Sequence, residues 1–456
     1  MAVEYDGFDR RASSSRLNRF RKLPLQFSTQ RAGHDSIRQL PRATPAIVLV
    51  SVRGKRTALG AIGSQGMQAL SSFTIQVIVA RTLGFEGLGA FAIAYGVMVL
   101  VAGLASGMVG DSLVVLERGE RQIRSALQQF ALAIAVVAAL ASATIGWASG
   151  LLDAPTAIAF GAAVALFALE ELMRRLLMAG FGFWRAMMID FASFFVALAV
   201  IGVGALRSDL SLLVFLSAIA LGQFAAIGFG VMLLPREERF VVGFSRGGLT
   251  TVFQYGIWRS GQQFLRPALL TAVRTLVTLL ASLAATGLLE AGRVYVAPAT
   301  LAVSGLSSYL FVSFASDREK TLRTKLRRAD RSVLALVGFT VLVGIALVGL
   351  LPWAGVLLFG TAPDLLAVVG WIAYTASIAA VTPYGALAAV GGRQAAVFLV
   401  RAADTAVAVG FVWVVLAAGG SVQWVPAVLA VASVLGGLVI RSFILVPLVR
   451  RDLDSN

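Results

Sequence analysis

The sequence predicts an all-α polytopic membrane protein of about twelve transmembrane helices, arranged as two six-helix lobes around a central cavity. Three observations carry this. Of the 456 residues, 58% are hydrophobic and only 14% charged, at a mean hydropathy of +0.85, whereas soluble chains carry about 25% charged residues. Apolar stretches near 20 residues, the length that crosses a hydrocarbon layer of roughly 30 Å as a helix, recur along the chain. A basic, polar segment at 234–250, "LPREERFVVGFSRGGLT", divides six such stretches from six more.

The spans fall near 58–80, 88–113, 125–147, 156–178, 187–206, 211–234, 255–284, 288–315, 332–351, 364–390, 394–418 and 423–446. Before them lies a tail, 1–56, with 12 basic and four acidic side chains; it reads as a mostly disordered cytoplasmic segment held to anionic lipid headgroups by charge. Its one apolar run, "AIVLV", is too short to span. The N-lobe is expected over 57–234, a cytoplasmic linker over 235–249, the C-lobe over 250–449 and a cytoplasmic C-terminus over 450–456.

Orientation follows from the basic residues. Of 39 Lys and Arg, 33 fall on one side of this arrangement and three, Arg81, Arg207 and Arg293, in the opposite connections. The basic side is cytoplasmic by the positive-inside rule, so both termini face the cytoplasm of a cell membrane. Trp147, Trp353 and Trp424 fall at outer span ends and Trp184 and Trp258 at inner ones, in agreement with an aromatic belt. The net charge of +16 is thus a topological signal, and no nucleic-acid partner is implied.

Several chemistries lack parts. There is no cysteine, and the single histidine, His34, lies in the tail, so thiolate, serine–histidine and zinc catalysis are excluded within the membrane and no cofactor or enzymatic role is expected. Every outer connection is short, the longest being "LPWAGVLLFGTAPD" at 351–364, which speaks against a polymerase, a glycosyltransferase or a receptor ectodomain.

The remaining three arginines stand in span 7, "RSGQQFLRPALLTAVRTL" (259–276). At 100° per residue Arg259, Gln263, Arg266 and Arg274 share one face. An arginine at the centre of a span costs about 2.5–3.5 kcal/mol, so Arg266 and Arg274 face protein or water, while Arg259, beside Trp258, can reach the inner headgroups. Two readings compete: a buried ion pair with Glu290, Asp111, Asp190 or Asp404, or an open cationic face that takes phosphate oxygens in the guanidinium fork. In span 1, Gln65, Gln68, Ser72 and Gln76 form a second polar stripe, suited to sugar hydroxyls or to interhelical hydrogen bonds. Gly103 and Gly107 permit close helix approach, and Pro267, Pro298 and Pro383 interrupt the hydrogen-bond ladders of spans 7, 8 and 10.

Three stretches carry a family resemblance over roughly residues 58–446. "GSQGMQALSSFTIQVIVARTLGFEGLGAFAIAYG" (63–96) resembles the first two helices of polysaccharide (O-antigen type) flippases of the multidrug/oligosaccharidyl-lipid/polysaccharide (MOP) exporter superfamily. "LEELMRRLLMAGFGFWRAMMID" (169–190) is similar to their connection between helices 4 and 5, and "LPWAGVLLFG" (351–360) to their ninth-helix exit. The resemblance implies a MATE-like pair of lobes with a cavity lined chiefly by helices 1, 2, 7 and 8. It also implies flipping of a polyprenyl-diphosphate-linked oligosaccharide from inner to outer leaflet for envelope polysaccharide synthesis. Arg259, Arg266, Arg274, Gln65, Gln68, Gln76 and Gln263 are then the substrate-binding candidates, membrane lipids are partners, and glycosyltransferases or a polymerase of the same pathway are possible ones. The alternatives are a MATE-like small-molecule or drug antiporter and a non-transporting scaffold of envelope synthesis. The antiporter requires a protonatable carboxylate deep in the N-lobe, and none occurs between 58 and 80.

Because the tail has no apolar face to pack with, deleting residues 2–50 is expected to leave membrane insertion intact and to weaken adhesion to anionic vesicles, at roughly 1 kcal/mol per basic residue near the surface. Flotation of the truncated chain with such vesicles measures this; loss of insertion is the contrary result.

Overall fold

In the computed structural model of the protein, residues 46–454 are described, apart from 118, 181, 240–242, 317–320 and 391. The tail residues 1–45, with His34, and the charged positions 118 and 317–320 lie outside the described residues. The chain divides into Met1–Val52 and Arg53–Asn456, and the account below concerns the second unit.

That unit is helical throughout, with no strand among its described residues. The helical run that ends at Ala105 is broken at Gly84, whose φ of 68° and ψ of −170° lie outside the range available to side-chain-bearing residues. The break separates α1 (63–83) from α2 (85–115). There follow α3 (Arg121–Ala148), α4 (Ala154–Ala179), α5 (Phe183–Leu206) and α6 (Leu212–Leu233). The second half holds α7 (Leu249–Leu280), α8 (Leu283–Ser316), α9 (Leu322–Phe359), α10 (Leu365–Val390), α11 (Gln394–Ala417) and α12 (Val422–Arg450). Nine described helical runs are long and apolar enough to cross a membrane, α1 and α2 counting as one of them. With the arginine-bearing α7 and α8 the long helices number about twelve, near the stretches expected from hydropathy, although α9 begins ten residues earlier and ends eight later than expected. Several ends are fixed by local chemistry: Pro155 opens α4, where no backbone donor is required, and the Asp364 carboxylate accepts from the Ala367 amide at 3.0 Å to start α10.

α4 packs on α3 and α6, and α6 on α5; in the second half α10 packs on α8, α9 and α12, while α11 bridges α12 and α7. α7 touches elements of both halves, meeting α2 where that helix widens into a π-turn at Ser106–Gly110, and meeting α3 as well. Outward faces are apolar: Trp147, Trp353 and Trp424 are more than half exposed, as are Leu140, Leu334 and Phe443, which suits contact with lipid. Within the bundle, Phe91 is fully buried, stacks on Tyr95 at 5.9 Å and meets Phe215 edge-on at 6.4 Å, while Tyr95 meets Phe167 at 5.8 Å.

Backbone-to-backbone contacts hold α2 against its neighbours at both ends. A Cβ on Gly107 would lie 2.3 Å from the Ser260 Cα, and one on Gly256 would lie 2.6 Å from the Met108 carbonyl oxygen. At the other end a Cβ on Gly89 would lie 2.0 Å from the Leu283 carbonyl oxygen, and Gly287 faces the Phe85 carbonyl just as closely. Only glycine fits such approaches. Gly103, the other half of the GxxxG pair, faces the Gln263 carbonyl.

The cysteine-free chain accepts single reporters cleanly. Cysteine at exposed Ser208 or Gln423 is expected to react with an impermeant thiol reagent in intact cells, and cysteine at exposed Glu120 or Arg236 only after permeabilisation. The opposite labelling pattern contradicts the orientation read from charge.

Candidate functional site: a cationic cavity between the helices

The sequence places polar side chains on α1, α7 and α8, and the fold turns them toward one cavity of about 560 Å³. Gln65, Gln68, Ser72 and Gln76 line it from α1, Arg266 from α7, Arg293 from α8, Trp371 and Tyr374 from α10, and Tyr95 from α2. The expected lining by helices 1, 2, 7 and 8 is therefore modified: α10 supplies a wall and α2 little beyond Tyr95. Two guanidiniums and no carboxylate stand among the lining residues.

The arginines of α7 have three different environments. Arg274 is buried, and its Nε and Nη2 donate to the two oxygens of Glu290 at 3.1 and 3.0 Å. It sits behind the cavity wall, so its placement is that of the ion-pair reading; the open-cavity position expected for it is corrected. The i, i+3 neighbour Arg293 donates its Nε to the same Glu290 Oε1 at 2.6 Å and its Nη2 to Gln76 Oε1 at 3.1 Å. One carboxylate thus serves two cations, which leaves a surplus positive charge next to the cavity. Glu290 can do this because it is 2% exposed and both its oxygens are engaged, which repays the cost of burying it.

Arg259 does not reach free to the headgroups. Its Nε and Nη2 donate to Asp111 Oδ2 at 2.8 and 2.7 Å, and its Nη1 to Gln262 at 3.0 Å. Arg266 is exposed to the cavity beside the Tyr374 hydroxyl and, among the described residues, has no carboxylate partner. Gln263 is half-buried at the α2 seam and does not line the cavity.

One reading of the sequence is overturned and one is incomplete. Arg293, assigned to an outer connection, lies within α8 and faces the cavity; its spacing of three from Glu290 was the available signal. The absence of carboxylates between 58 and 80 does not extend to the rest of the N-terminal half. Glu170 and Glu171 on α4 and Asp190 on α5 are each no more than 6% exposed, in the segment "LEELMRR" through "MMID". Asp190 accepts from the Ser64 hydroxyl of α1 at 2.8 Å. Glu171 takes Nε and Nη2 of Arg174 at 3.0 and 2.7 Å and Nε of Arg175 at 2.9 Å, and Arg175 continues to Asp111 at 3.2 Å. The chain of charges Arg174, Glu171, Arg175, Asp111 and Arg259 therefore ties α4 and α2 to α7. Glu170 Oε1 has no hydrogen-bond partner among the described residues. Arg174 and Arg175, which count toward the cytoplasmic charge and fall at the inner end of the span expected at 156–178, are part of this helix-borne network.

With this geometry in view, the comparisons are informative about fold. No protein-family model matches the chain, and no curated protein matches it. Among solved structures it is similar to the lipid II flippase MurJ in an inward closed conformation, at a TM-score of 0.68 and 12% identity over 84% of this chain and 86% of that one. It is also similar to a multidrug resistance MATE family transporter of the MOP superfamily in the inward-facing conformation, at 0.64 and 13% over 87% of this chain and 99% of that one. A MOP superfamily transporter from Pyrococcus furiosus matches at 0.56 and 14% over 86% and 95%. The fold is that of the MOP exporters: an all-α, polytopic membrane architecture of about twelve helices.

Substituting Glu290 separates the two roles of its cluster. Glu290→Gln strands two guanidiniums and is expected to cost about 3–5 kcal/mol, read as loss of folded protein and a lowered Tm in detergent. Arg274→Gln leaves Glu290 with Arg293 and is expected to cost less. A Glu290→Gln protein as stable as the parent contradicts the account.

Proposed function

We propose that the chain is a non-enzymatic membrane transporter that flips a polyprenyl-diphosphate-linked oligosaccharide from the inner to the outer leaflet of the cell membrane by alternating access. One observation carries the reading: the central cavity is lined by Arg266 and Arg293, with no carboxylate among the lining residues, beside the amides of Gln65 and Gln68. Guanidinium forks recognise diphosphate oxygens in pairs, and amides both donate to and accept from sugar hydroxyls. The polyprenyl tail stays in lipid. Transport then consists of holding a charged, hydrated headgroup in a polar cavity while the helix bundle changes which side it opens to; no bond is made or broken. Likeness in fold to the lipid II flippase supports the reading, and both termini are assigned to the cytoplasm on the charge distribution. Glycosyltransferases or a polymerase of the same pathway are the natural protein partners.

A second reading, a small-molecule antiporter, is favoured by the buried carboxylates Glu170 and Asp190 and by the likeness to MATE transporters. Two cavity guanidiniums disfavour a cationic drug as its cargo.

The discriminating variant is Arg266→Ala. It removes a cation that no described carboxylate balances, so abundance is expected to hold while outer-leaflet delivery of the lipid-linked glycan falls about 10- to 100-fold, the worth of one or two charge-assisted hydrogen bonds. Arg266→Lys is expected to keep part of the activity. Unchanged delivery by an Arg266→Ala, Arg293→Ala protein at normal abundance defeats the flippase reading. Proton-dependent efflux of a small molecule that is lost in Asp190→Asn establishes the antiporter instead.

A further inference from the structure

A second cavity, of about 530 Å³, lies among α7, α10, α11 and α12. It adjoins the central one, and Arg266, Tyr374 and Ile378 line both. Its walls carry three guanidiniums, those of Arg259, Arg266 and Arg401, against a single carboxylate, Asp404. The rest of the lining is mixed, with Leu269, Phe398 and Leu429 supplying apolar surface and Gln262 and Gln394 supplying amides.

The charge balance sets the argument. Arg259 is satisfied from outside the cavity by Asp111. Arg401 meets Asp404 through one contact of 3.4 Å, from its Nη1 to Oδ2, although both are largely turned away from solvent. A well-made pair would be bidentate and about 0.5 Å shorter. Arg266 has no carboxylate within salt-bridge distance among the described residues. Two cations therefore share one loosely placed anion in a membrane-embedded hollow, where an unbalanced charge is costly. An anion with several oxygens, entering between Arg266 and Arg401, relieves that imbalance, and the apolar wall accepts a hydrocarbon chain attached to it.

We propose that this second cavity is a binding site for a phosphate monoester, with the phosphate held between Arg266 and Arg401. The site goes beyond transport through the central cavity, because α11 and α12, which do not line that cavity, supply Arg401, Asp404 and much of the remaining wall. It has one consequence for that transport: Arg266 serves both cavities, so a ligand in one changes affinity in the other, and the effect is reciprocal.

The experiment uses the full chain, purified in detergent, with a single cysteine at Thr405, a lining residue of the second cavity, and follows its rate of modification by a small thiol reagent. Dioleoyl phosphatidic acid, inorganic phosphate and dioleoylglycerol are added separately. Phosphatidic acid is expected to slow modification about tenfold, and Arg401→Gln to remove the slowing, as loss of a charge-assisted contact requires. Asp404→Asn, which frees Arg401 from its competitor, is expected to lower the concentration needed. Equal slowing by inorganic phosphate keeps the site and assigns it to the free ion. Equal slowing by dioleoylglycerol, slowing by neither phosphate, or slowing that survives Arg401→Gln overturns the proposal. Should Arg401→Gln not fold, an Asp404→Asn protein that needs as much phosphatidic acid as the parent, or more, overturns it as well. None of these readouts depends on glycan transport, so failure here leaves the reading of the central cavity standing.

Discussion

A charge inside a hydrocarbon layer must be paired or wetted, and this requirement organises the protein around Glu290. That carboxylate lies between Arg274 of α7 and Arg293 of its own helix, which reaches on to Gln76 of α1. Three helices are thereby registered by one buried anion. Because the anion is shared, the cluster keeps a surplus positive charge, and Arg293 presents it to the cavity. The bundle is held together there by the same side chains that give the cavity its sign.

At the opposite pole of α2 the solution is different. Asp111 is held by Arg259 of α7 and Arg175 of α4, and Glu171 gathers Arg174 and Arg175. This chain of alternating charges crosses from the first half of the protein to the second at the end where α2 and α7 touch backbone to backbone. Between the two clusters lies Arg266, which neither one claims.

How much of this was legible beforehand depends on the kind of information each feature carries. An all-α architecture of about twelve long helices was legible, since length and apolarity are local properties of the chain. The polar stripe of α1 and the cavity position of Arg266 were legible from helical periodicity. Partners were not: wheel angles put Arg259, Arg266 and Arg274 on a common face, but the three meet different neighbours because a helix of 32 residues passes several others along its length. Arg293 was counted with the outer connections although it falls inside the span expected at 288–315, and Glu290 three residues earlier marks a helical pair. Asp190 is singled out in the sequence only as a candidate partner for the α7 arginines, and Glu170 is not singled out. Both fall inside the expected spans 156–178 and 187–206, and what the sequence does not show is which neighbours bury them between α4, α5 and α1.

The glycines of α2 and its partners alter what mutational scanning of this molecule would register. At Gly107 and Gly287 the neighbouring backbone stands where a methyl group would have to go, and backbone, unlike the end of a flexible side chain, cannot step aside. Replacement by alanine at these points wedges whole helices apart, whereas alanine at a lipid-facing leucine removes a few carbons from a fluid environment. The least tolerant positions in an alanine scan would therefore include residues that have no functional group to lose.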